Sequence, residues 1–589
     1  MNLKKLSILV VILVLLGVYF YFYEVKTGRE KAKAKEEAKK IVVFKPEHVE
    51  ELALKTEEKL ILLHREEDQW MIKEPVVAKG DNDSIGAALI TLAKAETERT
   101  VNEKPENLQV YGLDKPSMEI IIKEKNHPPL DTIFLGSKNP TEYYVYMKMA
   151  KSSAVMLTSS GLKDQLDKDV YHYRDKTLLD IDVEDVNRLS IKYKGMKADL
   201  EKDIEGDWRI IEPIQATADG GIIRRLMYSL KNSRINAFVD ESPNGLKKYG
   251  LDSPDMEVFF SGKNKSLLKS LLIGIRAETD GDFYAKWKNA VTVFLIPEDF
   301  SKDYPNTLFD LRDKTVLDFE KEEVVRIELK YPDEEMVVVS DEENQWNMIK
   351  PLKVKADEFA VSDLLWALLD IQADGFVNGS TEDIESYGLK KPYVEANVWE
   401  KGKKNPIQLF IGKKTEGEKH YYAGTNLEKA VYKLSPEVLK DLKKTPFDLR
   451  DKTLLTFNNE DVGKIRVRYQ DKNLILKLEK GDWKAIEPEK ATLYKPEVIS
   501  FLWDIKLLKF TEILSSEGRK QPTPTYGFDS PETEITLWNN EESKIGSIVI
   551  GKKMPGKDIL YAKVDSATTV YGIGPEFLEK LPHGVADLK

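Results

Sequence analysis

The side chains able to do chemistry are numerous in this chain, but their spacing is unorganised. The six histidines, His48, His64, His127, His172, His420 and His583, share no common interval and form neither an HExxH phrase nor a close pair of metal ligands. Cysteine is absent, which removes disulfides, thiolate metal sites and thiol nucleophiles together. GKKT at 412–415 resembles the close of a phosphate-binding loop, yet Ile407 stands where the leading glycine belongs and the phrase follows an extended run. YGIGPEF at 571–577 lacks the third glycine of a dinucleotide fingerprint. Carboxylates are plentiful, so a hydrolase with an acid–base pair assembled across the fold is a third-ranked alternative. The expectation from these residues is a noncatalytic chain with no cofactor and no metal centre.

One chemically useful residue does recur at a fixed interval. Tyr146, Tyr284, Tyr422 and Tyr561 occupy equivalent positions, each followed by methionine or alanine and, in three cases, by lysine. Tyrosine joins apolar area to a hydrogen-bonding tip, so four on equivalent faces are a candidate interaction face, for an envelope glycan among other partners. The plainer reading is a half-buried strand tyrosine.

These residues belong to a long internal repeat. Trp70, Trp208, Trp346 and Trp483 lie 138, 138 and 137 residues apart and open the phrases WMIKEP, WRIIEP, WNMIKP and WKAIEP. YGLDKP, YGLDSP, YGLKKP and YGFDSP begin at Tyr111, Tyr249, Tyr387 and Tyr526, and Gly136, Gly274, Gly412 and Gly551 each close an apolar run. Such spacing places repeat domains at about 41–179, 180–318, 319–456 and 457–589. A period this long exceeds that of solenoids, so each unit holds its own core. RDKT recurs at Arg174, Arg312 and Arg450, at each unit junction, and is read as an interdomain brace in which arginine forks to carboxylates or carbonyls.

Within a unit, the alternation in VRIELKY (325–331) and KIRVRY (464–469) predicts strands, and the tryptophan phrase predicts another. Val361, Leu364, Leu365 and Leu368 fall at helical spacing, as do Ile85, Ala88, Leu89 and Leu92. A second short helix is expected at 435–442, 297–300 and 574–581, each with an early proline. The fold class is therefore α+β, a mainly antiparallel sheet with two helices per domain.

Ahead of the repeats, residues 6–23 form an uncharged run of 18, long enough for one transmembrane helix and ending in five aromatics suited to a membrane interface. The expected order is an anchor at 1–23 and a charged helical stalk at 24–40, followed by the four domains. Counting Lys4 and Lys5 before the run against Lys26, Arg29, Lys31, Lys33, Lys35, Lys39 and Lys40 after it favours a cytoplasmic C-terminus, whereas a short basic amino terminus before an apolar run is how export signals begin. The expectation adopted is a single-pass inner-membrane protein with an extracytoplasmic C-terminal region. Of the 589 residues, 41% are hydrophobic and 32% charged, as in soluble domains, and the net charge of −11 disfavours nucleic acid as a partner.

The single anchor, the W-x-I-x-x-P-like phrases, YGLDxP, the strand–IG runs and LRDKT together resemble a bacterial family defined only as a domain of unknown function. The resemblance covers residues 41–589. It implies a membrane-anchored protein facing outside the cytoplasm, encoded beside ABC-type transporter components of the gliding-motility type. An ABC transporter is thus the implied partner, and an accessory or scaffold role the implied function. No catalytic residues carry over.

Overall fold

The computed structural model describes Val14, Tyr19, Tyr21 and residues 37–263, 266–278, 281–377, 384–515, 525–565 and 567–589. Apart from Val14, Tyr19 and Tyr21, the expected transmembrane run at 6–23 lies outside the described residues, as does the stalk ahead of residue 37. Among the described residues, no helix is long and apolar enough to cross a membrane.

The first repeat builds β1 (Val49–Lys55), β2 (Leu60–Glu66), β3 (Gln69–Glu74), β4 (Ala78–Lys79), helix α1 (Asn82–Lys94), β5 (Thr97–Asn102), β6 (Met118–Glu124), β7 (Ile133–Lys138), β8 (Tyr144–Met149) and β9 (Val155–Ser159). They form one nine-stranded sheet in the order β4-β3-β2-β1-β6-β7-β8-β9-β5, and the same order recurs in three further sheets. Every pairing within these sheets is antiparallel. The architecture is four tandem, mainly antiparallel domains. Contacts group them into two compact units, residues up to Asp313 and Lys314–Lys589, with two sheets in each.

Two crossovers explain the sequence pattern. Helix α1 carries the chain from one sheet edge at β4 to the other at β5, and its apolar stripe of Ile85, Ala88, Leu89 and Leu92 is buried in the core. Helices α2 (Gly220–Asn232), α3 (Glu358–Leu369) and α4 (Lys495–Lys506) do the same, with the predicted Val361, Leu364, Leu365 and Leu368 buried. An aspartate caps the first three: Asp81, Asp219 and Asp357 accept backbone N–H bonds of the first turn. The return from β5 to β6 is the segment that contains YGLDKP.

The alternating strands place Leu52, Leu54, Ile61, Leu63, Met118, Ile120 and Ile122 in the core. Trp70, Trp208 and Trp483 are buried there too, whereas Trp346 is half-buried against its core. The expected second helix forms at Glu437–Leu442 and Glu576–Glu579, but at Glu298–Asp303 the chain tightens into a 3₁₀ helix. The same short element in the first domain is Ser160–Leu166, capped by Ser159.

Candidate functional site

The recurrent tyrosines meet the YGL phrase in every domain. Tyr146 packs on Tyr111 with ring centroids 5.0 Å apart, Tyr284 on Tyr249 at 5.0 Å, Tyr422 on Tyr387 at 4.9 Å and Tyr561 on Tyr526 at 5.1 Å. Each pair sits on the sheet face opposite the core, where the YGL turn is clamped down. The turn requires its own glycine, since Gly112, Gly250, Gly388 and Gly527 have φ of 64°, 66°, 74° and 81°. The glycine that closes each apolar run is required by close approach. A Cβ at Gly136, Gly274, Gly412 or Gly551 would lie 2.1–2.2 Å from the carbonyl oxygen of Tyr111, Tyr249, Tyr387 or Tyr526. Three separate phrases in the sequence are thus one local device. In the second domain it is reinforced by the Tyr249 hydroxyl, which donates to Asp240 at 2.7 Å.

RDKT forms a strap hydrogen-bonded on both sides. Arg174 bridges to Gly80, and the Asp175 N–H donates to the Lys79 carbonyl at 2.9 Å, which ties the strap to the first domain. Two residues on, Thr177 bridges to Arg234, and the Ile235 N–H donates to the Lys176 carbonyl at 2.8 Å, which ties it to the second. The last two domains repeat this: the Asp451 N–H donates to Lys355 at 2.8 Å and the Phe510 N–H to Lys452 at 2.9 Å. Arg312 likewise bridges to Ala218. Each residue type has a use. The Asp175 and Asp451 carboxylates accept from the Thr177 and Thr453 N–H at 2.9 Å, while Lys176 and Lys452 cap carbonyls of the preceding turn.

The arginines differ in their partners. Arg174, with a side chain 9% exposed, forks onto Glu241 and stacks on Phe238 with its guanidinium carbon 3.5 Å from the ring centroid. Arg450 lies over Phe510 at 5.1 Å. Nearby, the Tyr171 hydroxyl donates to the Ile235 carbonyl at 3.0 Å, Lys79 pairs with Asp180 at 2.8 Å, and Lys509 pairs with Asp357 at 2.7 Å. Burial pushes the Lys176 and Lys269 ammonium groups and the His172 imidazole below their ordinary values at the first of these joints.

The histidines remain scattered. His48 and His127 line an open cleft of about 570 Å³ in the first domain with Glu47, Glu50, Arg65 and Lys125. His64 lies 3.7 Å from Glu51 and His420 3.6 Å from Asp374. One carboxylate group that the sequence reading passed over is Asp203, Glu205 and Asp207, whose oxygens lie within 4.8 Å of one another. Its geometry is that of a hairpin turn, since Asp203 accepts from the Glu205 and Asp207 N–H at 3.0 Å each.

The fold and its recurrent phrases define a tandem array of antiparallel-sheet domains. The chain belongs to the family described as a domain of unknown function, DUF4340, whose model matches residues 70–207, 208–353, 346–495 and 483–589. Each match opens at the recurrent tryptophan, and the first three run past the next strap, so the family's sequence unit is out of phase with the sheets. No curated protein matches the chain. Among solved structures it is similar to a DNA polymerase sliding clamp of Pseudomonas aeruginosa, at 11% identity over 68% of this chain and 94% of that one, with a TM-score of 0.12. The DNA polymerase III subunit beta of the same organism gives 8% identity over 67% and 94%, also at 0.12. Likeness at that score carries no argument about this chain.

Proposed function

We propose that the protein is a noncatalytic, membrane-anchored accessory or scaffold of the bacterial cell envelope. In this reading the apolar run at 6–23 is a single transmembrane helix in the inner membrane. The four domains project outside the cytoplasm, and the partner is an ABC-type transport system. The observation that carries the proposal is the strap. A tetrapeptide hydrogen-bonded into two successive domains is a device for holding domains in a defined series, as a spacer or multivalent scaffold requires. The recurrent tryptophans, glycines and tyrosines support it as well, because each is occupied in building its own domain.

The test is a mild-detergent pull-down of the full chain from native membranes, beside a version lacking residues 1–40, with partners identified by mass spectrometry. Recovery of transporter subunits with the anchored form supports the reading. Recovery of the protein alone, under conditions that keep known membrane complexes intact, overturns it.

A further inference from the structure

The outward face of each crossover helix holds a large apolar residue at the same repeat position: Ile90, Tyr228, Trp366 and Trp503, which are 46%, 40%, 51% and 47% exposed. Nothing in the fold of a domain requires an apolar side chain there, since the core stripe lies on the opposite side of each helix.

The charges around this position differ in sign between two domains. On α2, Tyr228 is flanked by exposed Arg224 and Arg225, with Lys231 one turn on. On α3, Trp366 is flanked by exposed Glu358, Asp363 and Asp370. Phe359, seven residues before Trp366 and so on the same face, is 80% exposed where the other helices have Asp83, Gly221 and Pro496. Lys321 lies over the Trp366 ring at 5.3 Å, one cation against three carboxylates. Among the described residues, the side chains of Arg224, Arg225, Glu358, Asp363 and Asp370 make no hydrogen bond or ion pair.

We propose that these two faces are the halves of a self-association surface, with α2 of one copy of the chain docking on α3 of a second copy. Charge complementarity selects the occupant. A basic face centred on tyrosine and an acidic face centred on tryptophan and phenylalanine, both unpaired within their domains, each supply what the other lacks. Each contact joins the α2 face of one copy to the α3 face of another, a heterologous pairing of unlike surfaces. One helix pair buries less than the ~1,200 Å² of a standard interface, which places the contact among weak, transient ones. Confinement of both copies to one membrane would raise their effective concentration.

The test uses the full chain in detergent, followed by sedimentation velocity up to about 0.3 mM. Wild type is expected to self-associate at low salt and to dissociate when salt shortens the screening length to about 3 Å. Two variants are made at exposed positions that the fold does not use: Arg224→Glu with Arg225→Glu, and Asp363→Lys with Asp370→Lys. The first carries two acidic faces and the second two basic ones, so each alone sediments as a monomer, and mixing them restores association. A monomeric wild type across the series overturns the proposal. So does association that persists in either variant alone, or a mixture that stays monomeric; the last two outcomes would direct attention to a different protein partner for these faces.

Discussion

Replacing Gly412 by alanine tests whether the YGL phrase and the strand glycine are one device. The added Cβ would lie 2.2 Å from the Tyr387 carbonyl oxygen and 3.0 Å from the Gly388 carbonyl carbon, and both are backbone atoms that cannot rotate away. Overpacking of this kind costs about 1–3 kcal/mol. If the turn lifts to relieve it, the Lys413 N–H loses its 3.1 Å bond to the Tyr387 carbonyl and the Tyr387–Tyr422 ring pair at 4.9 Å separates. Each of those losses is worth about 1 kcal/mol. Whether the clash is borne or is relieved by those two losses, the expected destabilisation of the third domain is about 1–3 kcal/mol, or roughly 5- to 150-fold in its opening equilibrium. Amide hydrogen exchange on the full chain reads this domain by domain. Peptides covering Ile407–Lys414 should exchange faster by that factor, while those covering Lys544–Lys553 in the fourth domain keep their protection. Exchange within twofold of wild type across Ile407–Lys414 would refute the reasoning, and so would an equal loss in both domains.

Other expectations follow from the same structure. Gly86 lies inside α1 with open space at its Cβ position, so Gly86→Ala should stabilise the first domain by about 1 kcal/mol, seen as slower exchange in that domain; no change would count against the helix assignment. Arg174→Ala removes a guanidinium that both forks to Glu241 and stacks on Phe238, and should cost the joint about 1–3 kcal/mol; a several-fold rise in protease cutting near residues 170–180 checks it, with Arg174→Lys restoring only part of the protection. The Tyr331 hydroxyl donates to the Leu442 carbonyl, and burial pushes its ionisation up to about 12 from the ordinary 10.0. Since the folded value is raised, this contribution is fully present below pH 10 and lost as pH rises through about 12. Phenolate absorbance should accordingly show this group titrating about two units late, and Tyr331→Phe should delay alkaline unfolding of the third domain; an ordinary titration would sink the assignment.

Much of the fold was legible because the repeat supplies four readings of every position. The helical stripe at Val361, Leu364, Leu365 and Leu368 and the strand alternation at 464–469 survive in the structure because each element buries one face only. The strand order was not legible, because a period reports where a strand is and never which edge it joins. The link between YGL and the strand glycine was hidden for the same reason: Tyr111 and Gly136 lie 25 residues apart in sequence and meet only through the crossover from β5 to β6. Ile90, Tyr228, Trp366 and Trp503 escaped notice because their chemistry varies although their position does not. Aligning the four tryptophan phrases and counting forward would have exposed them.

The straps also explain where the repeat permits a change in length. Arg174, Arg312 and Arg450 are spaced by 138 and 138 residues, while the tryptophan interval falls to 137 at Trp483 and the YGL interval rises to 139 at Tyr526. The shortening belongs to a hairpin: Ser340 pairs with Trp346 across five residues, whereas Leu478 pairs with Trp483 across four. The compensating lengthening falls between Trp483 and Tyr526, on the path that crosses the sheet. Within the strap, Asp175 is bonded to one domain and Lys176 to the next, so one added residue would separate bonds made by adjacent residues and turn every following side chain to the wrong face. A one-residue insertion after Asp203, at the tip of a hairpin, should therefore leave the first joint's protease resistance unchanged, and the same insertion after Asp175 should abolish it. Equal tolerance at the two sites would mean that the strap is an ordinary linker and that the regular spacing has another cause.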